Sequence, residues 1–141
     1  MTAVALSTAG HVALADPIKT FIKSYVAAVA ITAGQEVYIL TTGKVGLADA
    51  NDAGKIQARG IALQTVGAGF AVDVLHDGDL DGFDVASLNV DALLYLSNTP
   101  GGLDTAAGST SVAVARVTVK TDKPTYTKCI HVFTKWDADW A

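Results

Sequence analysis

"FAVDVLHDGDLDGFD", residues 70–84, is the stretch on which the fold turns. Its first part alternates. Phe70, Val72 and Val74 fall on one face and Ala71, Asp73 and Leu75 on the other. A period of two marks a strand. From His76 the composition changes to D-x-D-x-D-G, the opening of a calcium loop. In such a loop Asp77, Asp79 and Asp81 would be ligands at positions 1, 3 and 5, with Gly82 at position 6. Position 12 is then Leu88, which cannot coordinate, and the preceding flank reads as strand where a helix is required. The stretch is therefore expected to be a strand that ends in a solvated acidic hairpin, with Gly78 and Gly82 in turn conformations. A looser cation site on Asp77, Asp79, Asp81 and Asp84 is the minority reading.

The same pattern extends in both directions. "YVAAVAI", "EVYIL", "IQARGIAL", "SVAVARVTVKT" and "KCIHVFTKW" are short β-rich runs separated by Gly, Thr, Asn and Asp. The segment Ala48–Gly54 has room for one helical turn and no more. A faint repeat relates "ITAGQEVYILTTGKVGLA" to "LNVDALLYLSNTPGGLDT". Tyr38 falls on Tyr95, a shift of 57 (95 − 38 = 57), which also places Ile31 on Leu88, Val37 on Leu94 and Arg59 on Arg116. Two similar halves imply an all-β fold, a small barrel or sandwich of short strands.

Residues 1–24 lack this alternation and are interrupted by Pro17. They are expected to form an extended N-terminal arm before a β-barrel domain at 25–141, or else a first edge strand with its loop. Ala13-Leu14-Ala15 resembles a signal-peptidase site. However, Met1 to Gly10 has neither Lys nor Arg, so no signal peptide is expected.

The chain has 141 residues, of which half are hydrophobic and 17% charged, enough for one domain with a core. Its net charge of −4 and the scarcity of basic clusters argue against binding nucleic acid through phosphate. No apolar run approaches the roughly 18 residues of a membrane helix. One cysteine, Cys129, cannot form an internal disulfide and reads as a small buried residue.

Candidate chemistry is sparse. His11, His76 and His131 have no second ligand at zinc spacing. The Gly67–Gly69 pair leads into a strand, as a turn does and a phosphate cradle does not. No nucleophile or metalloprotease motif is present, and the reading is of a protein without enzymatic activity or cofactor. Aromatic residues crowd the C-terminus instead: Tyr126, Phe133, Trp136 and Trp140. They are read either as interface anchors or as a cap on the core. Candidate contact residues are Pro17, Ile18, Phe21 and Tyr25 near the end of the arm, with Trp136 and Trp140 in the tail.

In order, Ala30–Leu40, the Gly43–Val45 turn, Ala48–Lys55, Gly60–Leu63, the Gly67–Gly69 turn, Val72–Leu80 and Leu94–Thr105 form a series. This series resembles the head decoration, or capsid cement, proteins of tailed bacteriophages. The resemblance covers about residues 25–120 and leaves the N-terminal 24 residues and the aromatic tail outside. It implies a structural protein on the outer surface of the virion capsid. Such a protein binds the major capsid protein as a homotrimer and bridges its subunits, without direct contact to nucleic acid or membrane. The alternative is another β-rich virion or surface module, such as a head-fibre base or a receptor- or sugar-binding domain.

Overall fold

Wherever apolar residues alternate with polar ones between turn formers, the chain pairs into strands. The structure is a computed structural model that describes residues 3–14, 20–120, 128–133 and 139–140. Its strands are β1 (Ala13–Leu14), β2 (Phe21–Val26), β3 (Glu36–Ile39), β4 (Val45–Leu47), β5 (Ala58–Ala62), β6 (Ala71–Asp81), β7 (Leu93–Leu96), β8 (Leu103–Asp104), β9 (Ala113–Val119) and β10 (Lys128–Val132). All pairings between them are antiparallel. The fold is all-β, as the alternation requires. The helical expectation reduces to one 3-10 turn, Ala53–Lys55, whose first turn is capped by the Asp52 carboxylate accepting from the Gly54 N–H at 3.0 Å.

The strand order reads the same from both ends: β4-β3-β5-β6 followed by β10-β9-β7-β8. Each half is a β-unit of one plan, and the last strand of each meets the other in the middle. The irregularity that shifts the β3–β5 register lies between Val37 and Tyr38. Its counterpart between β7 and β9 lies between Leu94 and Tyr95, the positions that the 57-residue shift makes equivalent. The registers themselves differ. Val37 faces Gly60, whereas Leu94 faces Ala115, so the partner strand has slipped by two residues relative to the sequence match. Arg59 and Arg116 are therefore not structural equivalents.

β6 joins the halves. Its first part pairs with β2 on one edge and β5 on the other; its last part pairs with β1 and β10. This corrects the expected acidic hairpin. Asp77, Asp79 and Asp81 are not in a turn but on alternate positions of an 11-residue strand, with Leu80 fully buried on the opposite face. Asp and Gly favour turns locally, but backbone partners on both edges override that preference. Gly78 makes the passage feasible. Its φ is +146° and a Cβ there would lie 2.9 Å from the Thr20 methyl.

The two halves close differently. In the first, the path β2–β6–β5–β3–β4 returns to the end of β2 through a parallel bridge between Ala27 and Val45, with the Ala28 N–H donating to the Val45 carbonyl at 2.8 Å. Its interior holds Ala27, Ile31, Val37, Val45, Ala62, Val72 and Val74. In the second, the N-terminal segment spans from β8 to the end of β6. The Val4 N–H donates to Leu103 O, the Asp84 N–H to Ala5 O and the Ser7 N–H to Gly82 O. Val4, Leu6, Val12 and Leu14 pack on the main core, which includes the fully buried Ile61, Leu75, Leu80, Leu94, Leu96 and Ile130. Each such side chain contributes about 1.5–3 kcal/mol by leaving water.

The expected boundary between arm and domain at residue 24 falls inside β2. Val4, Leu6, Val12 and Leu14 pack on the main core, whereas residues 21–24 lie in β2 with their side chains exposed. The predicted run "YVAAVAI" is correspondingly displaced: the strand begins at Phe21 and ends at Val26.

Candidate functional site

β2 is an unusual strand. It pairs with β6 along its whole length, yet all of its residues except the half-buried Tyr25 are exposed. Phe21 is 48% exposed, Ile22 37% and Val26 41%; nearby Val29 and Phe70 reach 44% and 66%. Among the described residues no strand pairs with the outer edge of Phe21–Val26. Beyond it lies a groove of about 840 Å³, lined by Phe21, Lys23, Tyr25, Val26, Ile39 and Gly43. This slot separates β2 from the β3–β4 hairpin where the first half does not close.

The floor of this region is fixed by His76, which is fully buried. Its Nδ1 lies at hydrogen-bond distance from the Arg59 carbonyl, which can only accept, so Nδ1 carries the proton. Nε2 is then the acceptor, and the Tyr25 hydroxyl donates to it at 2.8 Å. Burial holds the His76 pKa below its ordinary value; the Arg59 carbonyl works against this and the Lys23 charge adds to it. Burial likewise raises the Tyr25 pKa. Phe21 leans on the same imidazole with ring centroids 4.9 Å apart, and Tyr25 meets it edge-on at 5.5 Å. The Lys23 ammonium sits 5.5 Å from the Tyr25 ring centre, within cation–π range. On the other face of β2 the Ser24 hydroxyl donates to Asp73, whose second oxygen accepts from Gln64 at 3.0 Å. The apolar strand is thus held rigidly by polar contacts to β6.

Of the residues singled out from sequence, Phe21 and Tyr25 come together on this strand. Pro17, Ile18 and Trp136 lie outside the described residues, as does Tyr126. Trp140 is elsewhere. It packs against the main core, its backbone N–H donates to Gln57 Oε1 at 2.8 Å and its backbone carbonyl accepts from Gln57 Nε2 at 2.9 Å. Trp140, half-buried, lies where a cap on the core would.

Of the three aspartates only Asp77 lies opposite β2, across from Phe21 in the β2–β6 ladder. Asp79 accepts from His131 Nδ1 at 2.7 Å, Asp77 lies 3.8 Å from His131 Nε2, and Asp81 pairs with Lys120. Strand geometry spreads them along one edge-to-edge ladder and gives each a basic partner. Among the described residues no group of His, Cys, Asp or Glu is placed to hold a metal ion. Cys129 is buried, as its strand position implies. The two arginines find partners within the chain: Arg59 with Asp139 at 2.9 Å and Arg116 with Asp91 at 3.6 Å.

Sequence reasoning did not single out Ile22, Val26, Phe70 or the buried Glu36. An apolar residue in a strand reads as core, and nothing local distinguishes the edge strand that the fold leaves outside. Glu36 is fully buried at the start of β3, between the halves; burial pushes its pKa well up, and a hydrogen bond with the Gly60 backbone only partly offsets this.

Compared with known proteins, the chain matches no family model and no curated protein significantly.

Proposed function

We propose that this protein is a structural component of a virus particle that binds the outer surface of a tailed-phage head and reinforces it by bridging subunits of the major capsid protein. The observation that carries the reading is the exposed apolar strand β2, with Phe21, Ile22 and Val26 presented together beside an open groove. Exposed apolar surface of this kind is typical of a surface that meets another protein. The ordered sequence features that resemble the cement proteins give the partner its class. Several copies acting together, three in the proteins it resembles, turn weak single contacts into firm attachment.

Co-sedimentation with expanded, DNA-free heads of the phage that encodes the chain, prepared without it, tests the proposal. The chain is expected in the pellet, and the double variant Ile22→Asp, Val26→Asp in the supernatant with an unchanged thermal transition. Failure of the unaltered chain to pellet refutes the reading.

The groove supports a second reading. Its aromatic and polar lining, Phe21 and Tyr25 with Lys23 and Ser24, is of the kind that holds a sugar ring. Binding on a glycan array that is lost in Tyr25→Ala would favour the receptor-binding alternative.

A further inference from the structure

The start of β5 holds another stretch of chain by its backbone. We propose that Gln57 and Arg59 form a docking site for an extended acidic–aromatic dipeptide, Asp-Trp, which the chain's own Asp139–Trp140 fills as a displaceable latch. None of these residues belongs to β2, and the inference does not depend on attachment to a capsid.

The first ground is the place. β5 pairs with β3 from Ala58 onward, but with β6 only at Ile61 and Ala62. Leu75 of β6 still faces Ile61, whereas Gly78 already faces Val132 of β10. β6 changes partner between them, and among the described residues the first part of β5 has no ladder with β6. The His76 ring fills in for the missing bond, its Nδ1–H donating to the Arg59 carbonyl. The backbone of the site is thereby fixed whether or not a peptide lies on it, which lowers the ordering cost of binding.

The second ground is the chemistry. A glutamine amide offers donors on one atom and an acceptor on the other. Gln57 spends both kinds on a single residue: Nε2 donates to the Trp140 carbonyl at 2.9 Å and Oε1 accepts from the Trp140 N–H at 2.8 Å. That pair of bonds reads the main chain as a neighbouring strand would. Two residues on, the Arg59 guanidinium donates to the Asp139 carboxylate at 2.9 Å. The indole of Trp140 packs against the main core. Main chain, carboxylate and ring are thus each met by a different group, and together they specify Asp followed by Trp.

The third ground is the modest hold. Residues 139–140 belong to no strand, and Trp140 is half-buried where core residues such as Ile61 and Leu94 are fully buried. Asp139 is 76% exposed, so water screens its ion pair. A contact of this size opens locally, without unfolding the sheet.

Two measurements test the latch. In the unaltered chain the Trp140 amide should exchange at least about tenfold faster than that of Ile61, at a rate that low urea leaves unchanged. The variant Trp140→Ala, which loses the indole anchor, is then titrated with acetyl-Ala-Asp-Trp-Ala-amide and followed by amide NMR. Saturable shifts are expected at the Gln57 side chain and at Arg59, with a dissociation constant on the order of millimolar. The unaltered chain should bind the same peptide at least about fivefold more weakly, because its own segment competes at high effective concentration. Adding Gln57→Leu to the variant should abolish binding, as should reversing the peptide to acetyl-Ala-Trp-Asp-Ala-amide. A Trp140 amide that exchanges only with global unfolding overturns the inference even if the variant does not fold. So do the absence of saturable shifts, equal binding by both chains, equal binding of both peptides, or binding that survives Gln57→Leu.

Discussion

The two halves of the sheet, β3–β6 and β7–β10, share strand order and even the place of their β-irregularity, but they are finished by different parts of the chain. The second half is sealed by the N-terminal segment, whose Val4, Leu6 and Val12 pack onto the main core. The first half is closed only at Ala27–Val45, and further along it leaves β2 standing out beside a groove. One plan thus yields a sealed side and an open side. The difference lies in what the ends of the unit meet, because repeated strands specify pairing but not the cover for the last edge.

The strongest way to break this contrast is to remove the seal. Deleting residues 1–12 should cost about 3–6 kcal/mol, since it strips three apolar side chains and several backbone hydrogen bonds from the second half. Hydrogen exchange should then report early loss of protection in β7 and β8 while β3 and β5 stay protected; uniform loss would mean the halves fold as one inseparable unit.

Next in size is the slipped register. Gly60 faces Val37 where Ala115 faces Leu94. Gly60 has φ +156°, and a Cβ there would lie 2.4 Å from the Leu75 carbonyl oxygen. Gly60→Ala is expected to destabilise by about 2–4 kcal/mol and Ala115→Gly by only about 1 kcal/mol, measured by urea unfolding. Equal costs would mean that the two positions are equivalent after all.

The buried carboxyl at the junction gives a pH signature. Glu36 has a raised pKa in the folded chain, so the unfolded chain releases its proton first as pH rises above about 4.5. Its contribution to stability is complete below that pH and is progressively lost above it. Glu36→Gln should flatten that part of the stability–pH profile. His76 acts in the opposite sense. Its lowered pKa means that the unfolded chain takes up the proton first as pH falls below about 6.5, and stability is lost in that direction. His76→Asn should remove this second component, and an unchanged profile in either variant would exclude the group concerned.

Smaller still is Tyr25→Phe. It removes the hydroxyl that donates to His76 and should cost about 1 kcal/mol in thermal unfolding, with β2 loosened relative to β5 in hydrogen exchange. Smallest is Asp77→Asn, whose partner lies 3.8 Å away at a largely exposed site. A change above about 0.5 kcal/mol would show that the acidic ladder matters more to stability than surface ion pairs usually do.

Much of the fold was legible. Alternation in residues 71–75 and 113–119 marks strands, and the shift that joins Tyr38 to Tyr95 marks the repeated unit. The acidic stretch was misread because Asp and Gly report local turn preference, whereas Asp77–Asp81 are held in β6 by β1 and β10, which lie far away in the chain. The exposure of Ile22 and Val26 beside Phe21 and Tyr25 was not legible, because apolar residues in a strand carry no mark of which edge remains uncovered.

The sequence by itself determined the all-β character and the two similar units, since these rest on periodicity and residue type, which are local. Only the tertiary structure decided the two-residue slip that separates Arg59 from Arg116, the burial of Glu36 and the exposure of β2. Each of these depends on which distant segments come to lie against a given strand, and long-range packing, not local preference, fixes that choice.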